Sequence, residues 1–375
     1  KINRLIEQFN NRHPDIHVDV KLTNLHRANT YSVGVDQWLK AGEGPDVIWW
    51  FGGSRIAKYA QQDLLHDLTP VWQLNPHAKH FSKAVMDAVK FEDKVFAVPI
   101  STTLLGLYYR QPIFEKLGMK APETWQQVID SCNRLNSQNK SLFALGIKDT
   151  AWILHGWFDY INLRLHGLEF HHKLLTGQHS FLDVRVRETL SHYKQLIDNN
   201  CFSKGYKALN TWDVFPAILR GYSAMILATG VPEHIRFQSF EELAIVQFPE
   251  INPNIPKYTV TPTEAFIVPK YTKLTEALKT LLRFLSTESF QLGYDNSKQH
   301  LPANLKMKPS DKLYTTKAID IIKNSPGGTQ YFDRDIDIEF SGKTPLIFKA
   351  FLDQPDIEKT MKNLETLRLK VFKTK

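Results

Sequence analysis

The segment GEGPDVIWWFGGS, residues 42 to 54, sets Trp49, Trp50 and Phe51 directly before Gly52 and Gly53. Large flat rings offer apolar faces to a ligand, and glycines let backbone come close to it. The same three rings also suit a packed core. A polar trio, Ser101, Thr102 and Thr103, follows the run VFAVPI, and each hydroxyl can donate and accept a hydrogen bond. As a group it is either a polar turn or a set of ligand contacts. Trp152, His155 and Trp157 open the stretch that begins TAWILHGWFDY. Helical spacing puts Trp152 and His155 on one face, a ring beside a titratable donor, while at least one of the two tryptophans is expected to pack.

Other patterns weigh less. His166, His171 and His172 in HGLEFHH follow no metal-ligand spacing and read as a solvated loop. Asp333, Asp335 and Asp337 start like a calcium loop, but Ile338 and Thr344 stand where its glycine and closing glutamate belong. No nucleophile elbow, phosphate-binding loop or His-Glu-x-x-His motif occurs. The expectation is therefore no metal and no cofactor. Cys132 and Cys201 are far apart and outside any Cys-x-x-Cys pattern, so a disulfide and two isolated thiols both stay open.

These residues need elements to position them. A chain of 375 residues exceeds what one core usually serves, so two domains are expected. With 42% apolar and 23% charged residues, wholesale disorder is excluded, and no apolar run reaches membrane-spanning length. The chain opens on Lys1 without a leader-like stretch. A net charge of +8 is spread along the sequence; its densest cluster, residues 368 to 375, reads as the solvated end of a terminal helix, and no nucleic-acid signature accompanies it. The spacing predicts a helix through Ile2, Leu5, Ile6 and Phe9, a strand through Ile16, Val18 and Val20, a helix ending near Trp38, the strand holding Val47 and Ile48, and a helix over residues 54–61. Such alternation argues for a doubly wound, mostly parallel α/β sheet. Pro99 argues against a plain central strand. Glu123 and Thr124 cap a helix, long helices run to about residue 200, strands follow at SAMILATG and LAIVQFP, and the Pro-dense residues 251–262 form an extended connection.

The order of FNNRHPDIHV, AGEGPDVIWWFGG, YAQQDLLHDLTPVW, the long stretch from VFAVPI to the Pro-x-Thr-Trp helix start, LRGYSAMILATG, EAFIVPKYTKLTEALKTLLRFLS and KQHLPAN resembles the family-one extracellular solute-binding proteins. These are the sugar-binding subunits of bacterial ABC importers. The resemblance implies a periplasmic-binding-protein-like fold of two α/β lobes, each a doubly wound mostly parallel sheet flanked by helices, with the ligand cleft and hinge between them. Residues 1–103 and 264–308 would form the first lobe, residues 104–263 and 309–375 the second. Two departures stand out: the family opens on a strand and polar loop ahead of the first helix here, and it often has a tryptophan where Gly230 is followed by Val231 and Pro232.

A sugar ring presents C–H faces and hydroxyl edges, so its site needs flat aromatics ringed by a few donors and acceptors. On the resemblance, Trp50 aligns with a stacking aromatic beside Phe51, with Trp49 turned to the core. Arg55, Ser101, Thr102, Thr103, Trp152, His155, Trp212, Thr229, Gly230 and Glu264 complete the candidate ligand shell. The implied protein is a non-catalytic periplasmic monomer that closes over a sugar or oligosaccharide and delivers it to the membrane permease subunits of an importer, with no nucleic-acid partner. A receptor's ligand sensor and a carbohydrate-active enzyme that places Glu264 and a second carboxylate in the same cleft are the alternatives.

Overall fold

Residues 2–22, 28–148, 151–230, 242–294, 300–306 and 313–372 are described in the computed structural model. The chain divides into two compact units, Lys1–Thr102 with Thr263–Met307, and Thr103–Pro262 with Lys308–Lys375. Thr103 thus belongs to the second unit and Thr263 to the first.

The first unit is built on a four-stranded sheet in the order Ile48–Phe51, Thr263–Ile267, Ala97–Thr102, Leu301–Pro302. Every pairing in it is antiparallel, which corrects the expectation of a mostly parallel sheet for this unit. Its helices are amphipathic as the spacing predicts. Ile2–Arg12 buries Ile6 and Phe9, and Glu276–Leu285 buries Leu278, Leu281, Leu282 and Leu285. Both pack with Val98, Ile100 and Phe266 of the sheet. The segment expected as a strand through Ile16, Val18 and Val20 keeps its alternation, those three side chains being half-buried between exposed neighbours, but it enters no ladder among the described residues. The Asn10 side chain supplies a substitute: its Oδ1 accepts from Val18 N at 3.1 Å and its Nδ2 donates to Val18 O at 3.3 Å.

Pro99 lies inside the strand Ala97–Thr102, which has a neighbour on each side, against expectation. It sits opposite Ala265, beside a register shift between Glu264 and Ala265. Irregular pairing of this kind is where a residue without N–H is tolerated in a sheet.

The second unit has the sheet order Ser141–Ala144, Ser223–Ala228, Gly106–Arg110, Leu243–Val246. In this sheet Ser141–Ala144 and Ser223–Ala228 pair in parallel and the other two pairings are antiparallel, while a separate two-stranded sheet of the same unit pairs Thr259–Val260 with Gly328–Thr329 in parallel. Parallel neighbours require a long crossover. The strand Gly106–Arg110, which follows the first unit's strand Ala97–Thr102 after three residues, lies between Ser223–Ala228 and Leu243–Val246 and runs antiparallel to both. Thr124 caps the helix Trp125–Asn136 in a capping box with Gln127. The long helix Trp152–Leu175 breaks at Gly167, whose φ of 78° lies in the left-handed region that favours glycine. Its first half packs against Phe143, Phe332 and Phe348 in one apolar core. The open question of the cysteines resolves as a disulfide between Cys132 and Cys201, with S–S 2.07 Å. Among the described residues, no helix is long and apolar enough to cross a membrane.

Candidate functional site

In the first unit, the strand register lines up one row of unlike side chains. Phe51 is opposite Glu264, Glu264 opposite Ser101, and Ser101 opposite Pro302. The buried Ser101 hydroxyl donates to Glu264 Oε2 at 3.0 Å. Glu264 and Phe51 are partly exposed, and the Arg55 guanidinium lies 4.9 Å from the Phe51 ring centroid. Next to this row, the Thr102 and Thr263 hydroxyls are 3.3 Å apart and buried. The row therefore combines a ring face and a carboxylate acceptor at strand ends, with a guanidinium donor beside it from the helix that follows.

The glycines after Phe51 bring the chain's own backbone together. Gly52 N donates to Thr263 O at 2.9 Å and Gly53 N to Ala88 O at 2.7 Å. A Cβ on Gly52 would lie 2.9 Å from Ala88 O. Gly53, at φ 75°, precedes the helix Ser54–Ala60 that carries Arg55.

Trp50 is not the exposed ring. Period-two alternation turns Ile48 and Trp50 inward and leaves Trp49 and Phe51 half-buried on the other face. Trp50 is 3% exposed. Its ring neighbours are Tyr31, Phe51 and Tyr59, and its Nε1 donates to Arg55 O at 3.3 Å. Trp50 belongs to the packing of the first unit, and Phe51 is the accessible ring beside it. Trp49 packs against the core from its half-buried side, edge to face with Phe51 at 4.8 Å.

In the second unit, three elements bring half-buried rings together. Trp152 opens its helix, Trp212 lies in the segment before the helix Phe215–Leu219, and Tyr331 precedes the short helix Phe332–Asp335. The Trp152 centroid is 6.2 Å from Trp212 and 5.5 Å from Tyr331. Trp212 stacks in turn on buried Phe215. The Tyr331 hydroxyl is hydrogen-bonded to the side chains of Thr103 and Thr229, and its pKa is pushed up to about 12, chiefly by burial. Arg334 lies 5.2 Å over the Tyr331 ring. Trp152, Trp212, Thr103 and Thr229 thus converge through Tyr331. Gly230 is buried beside Thr229, with φ 147°; Val231 and Pro232 lie outside the described residues.

His155 does not join this cluster. It is 2% exposed, stacks on Phe332 at 4.8 Å and meets the Thr344 hydroxyl through Nε2 at 3.0 Å. Burial holds its pKa down, at about 4. The face shared with Trp152 passes from the partly exposed helix start into the core within one turn, which is why equal spacing gives unequal exposure. Trp157 is core, edge to face with Phe143 at 4.6 Å. Nor is HGLEFHH a solvated loop. The break at Gly167 folds His171 back to full burial, with Nδ1 3.2 Å from Asn162 Oδ1. In the acidic run, Asp335 Oδ2 accepts from Thr329 Oγ1 and Gln330 N, and Asp337 caps the helix Ile338–Ser341. Among the described residues, no group of three or more His, Cys, Asp or Glu side chains could hold a metal ion.

Tyr331 and Arg334 escaped sequence reasoning. The local signal is the aromatic pair Tyr331 and Phe332 before the DRD run, and the partners of the Tyr331 hydroxyl come from distant parts of the chain.

With this geometry in place, comparison with known proteins becomes specific. The family described as bacterial extracellular solute-binding protein matches residues 1–291. The chain belongs to that family. The multiple sugar-binding protein of Streptococcus mutans is 26% identical over 157 residues, covering 42% of this chain and 35% of that protein. An ABC transporter extracellular-binding protein of Pyrococcus horikoshii is 22% identical over 227 residues, covering 60% of this chain and 50% of that protein. These matches span half or less of the two relatives. The solved structure of the bacterial solute receptor AcbH, described as having an exclusive preference for β-D-galactopyranose, superposes with a TM-score of 0.89 at 23% identity, covering 99% of this chain and 95% of that one. At that identity the likeness speaks for the fold, an α/β solute-binding architecture.

Proposed function

We propose that this family member binds a sugar or oligosaccharide without turning it over and hands it to the membrane permease of an ABC importer. The observation that carries the reading is the cluster of Trp152, Trp212 and Tyr331, half-buried and tilted by 46° and 54° to one another, with threonine hydroxyls on the phenol. Half-buried rings edged by hydroxyls match the C–H faces and O–H edges of a sugar. The Phe51, Glu264 and Ser101 row offers the same chemistry in the first unit, with a carboxylate that accepts from sugar hydroxyls. The sugar-binding relative and the sugar-specific structural neighbour support the class of ligand. The buried disulfide supports an oxidising location such as the periplasm.

The test is a thermal-shift screen of the protein against D-galactose, D-xylose, maltose, raffinose, diacetylchitobiose and D-galacturonate, because a ligand that binds only the folded state raises the midpoint. A shift with the sugar recovered intact supports binding without turnover. A shift accompanied by sugar breakdown points to an enzyme, and no shift across the panel removes the saccharide reading.

A further inference from the structure

The second unit buries a polar chain that sugar binding does not use directly. Thr189 Oγ1 donates to Arg185 O at 2.9 Å, so it accepts from Asn162 Nδ2 at 3.1 Å. That leaves Asn162 Oδ1 as the acceptor 3.2 Å from His171 Nδ1, which must then carry the ring hydrogen. His171 has its pKa pushed well down by burial, so the ring is neutral and Nε2 is a bare lone pair. Across from it, at 3.6 Å, lies Asp159 Oδ1. Neither atom has a hydrogen-bond partner as placed. Both residues are fully buried.

Burial likewise pushes the Asp159 carboxyl well above the usual carboxylate range. A neutral acid has one hydroxyl to give and one oxygen that accepts. A hydroxyl on Oδ1 would face the His171 lone pair across 3.6 Å, and Oδ2 accepts from Phe332 N at 3.0 Å. Phe332 follows Tyr331 directly. The other side of the same turn is held by Asp335, which accepts from Thr329 Oγ1 at 2.6 Å and Gln330 N at 2.9 Å.

We infer that Asp159 is a positioning residue for the aromatic cluster, a buried carboxyl braced by His171 that fixes the Phe332 backbone and through it the Tyr331 ring against Trp152. It touches no ligand. The inference rests on the saccharide reading of that cluster but concerns how the ring is held, which is measured separately.

Asn in place of Asp159 reproduces both roles, since its oxygen accepts from Phe332 N and its amide donates to His171 Nε2. Leu keeps the branching at Cγ but is bulkier and has neither function. The experiment compares wild type, Asp159→Asn, Asp159→Leu and Trp152→Ala by residue-resolved hydrogen exchange and by calorimetric titration with D-galactose and maltose. Expected are a protected Phe332 amide in wild type and Asp159→Asn, exchange faster by at least about tenfold in Asp159→Leu, and sugar affinity kept within about twofold by Asn but lowered about tenfold by Leu.

A folded Asp159→Leu protein that binds like wild type overturns the inference, as does an Asn variant that behaves like Leu. Should the Leu variant fail to fold, wild type and Asn decide: a Phe332 amide that exchanges like free loop overturns the inference, and protection in both supports it. If Trp152→Ala leaves sugar affinity unchanged, or neither sugar binds wild type, the site reading is what fails or changes sugar, and the exchange measurement still decides the role of Asp159.

Discussion

The two units hold similar chemistry by different means. In the first, Phe51, Glu264 and Ser101 sit in one register row on adjacent strands, so ladder geometry sets their spacing and the sheet itself is the scaffold. In the second, Trp152, Trp212 and Tyr331 come from a helix start, a connecting segment and a turn. Behind those rings the second unit buries a disulfide and polar side chains that join segments far apart in sequence. The contrast teaches that a site on strand ends inherits its order from the sheet, whereas a site on loops must have it built behind it, at the cost of burying titratable groups.

The sharpest way to break this contrast is to cut the disulfide. Cys132–Cys201 closes a separation of 69 residues within the second unit, which in the chain-entropy picture is worth about 4 kcal/mol. Reduction, or Cys132→Ser with Cys201→Ser, is expected to lower the stability of the second unit selectively, read by hydrogen exchange in the helix Trp125–Asn136 against that in Glu276–Leu285. Equal losses in both would erase the distinction.

Acid is next. His155 titrates at about 4 when folded against an ordinary 6.5, so the unfolded chain takes up its proton first. Its contribution is complete above pH 6.5 and is lost as pH falls toward 4, a difference of about 3 kcal/mol. The melting temperature is expected to fall over that window, and less steeply in His155→Gln. An unchanged slope in the variant would remove His155 from the account.

Smaller effects test the sites themselves. Trp152→Ala is expected to cost about 2 kcal/mol of saccharide affinity, roughly thirtyfold, through lost ring area and stacking; titration calorimetry with the sugar found in the thermal-shift screen measures it. Ser101→Ala removes the hydroxyl that donates to Glu264 and is expected to lower first-unit stability by about 1 kcal/mol, seen in denaturant unfolding. If Ser101→Ala proved costlier to binding than Trp152→Ala, the strand row would be the principal ligand contact and the ring cluster secondary.

Much of the architecture was legible. Apolar spacing marked the helices from Ile2 and from Glu276, the capping box at Thr124 marked its helix, and the Pro-dense stretch before Thr263 falls where the chain leaves the second unit. Strand direction was not, because alternating elements suggest a parallel sheet, and which strands become neighbours, such as Gly106–Arg110 between Ser223–Ala228 and Leu243–Val246, is set by segments far apart in sequence. Pro99 misled because the irregularity that tolerates it shows only in the pairing: Glu264 faces Ser101 and Ala265 faces Pro99, so Ile100 is the extra residue in Pro99's own strand.

Within the candidate site, residue type was readable and exposure was not. Trp50 and Phe51 are adjacent and both aromatic, and only the facing of the strand decides that Trp50 is core. Trp152 and His155 share a helix face, yet one stays partly exposed while the other is buried against Phe332 and Phe348. Tyr331 was invisible because its partners Thr103, Thr229 and Trp152 reach it through space.

What the sequence alone determined is most of the helices, their order and the chemical types available, because period, caps and turn formers act over a few residues. Which rings face outward, which histidines stay neutral, whether Cys132 meets Cys201 and which backbone amide Asp159 holds were decided only by tertiary structure. Burial and long-range hydrogen bonds depend on where distant segments lie, and no local pattern encodes that.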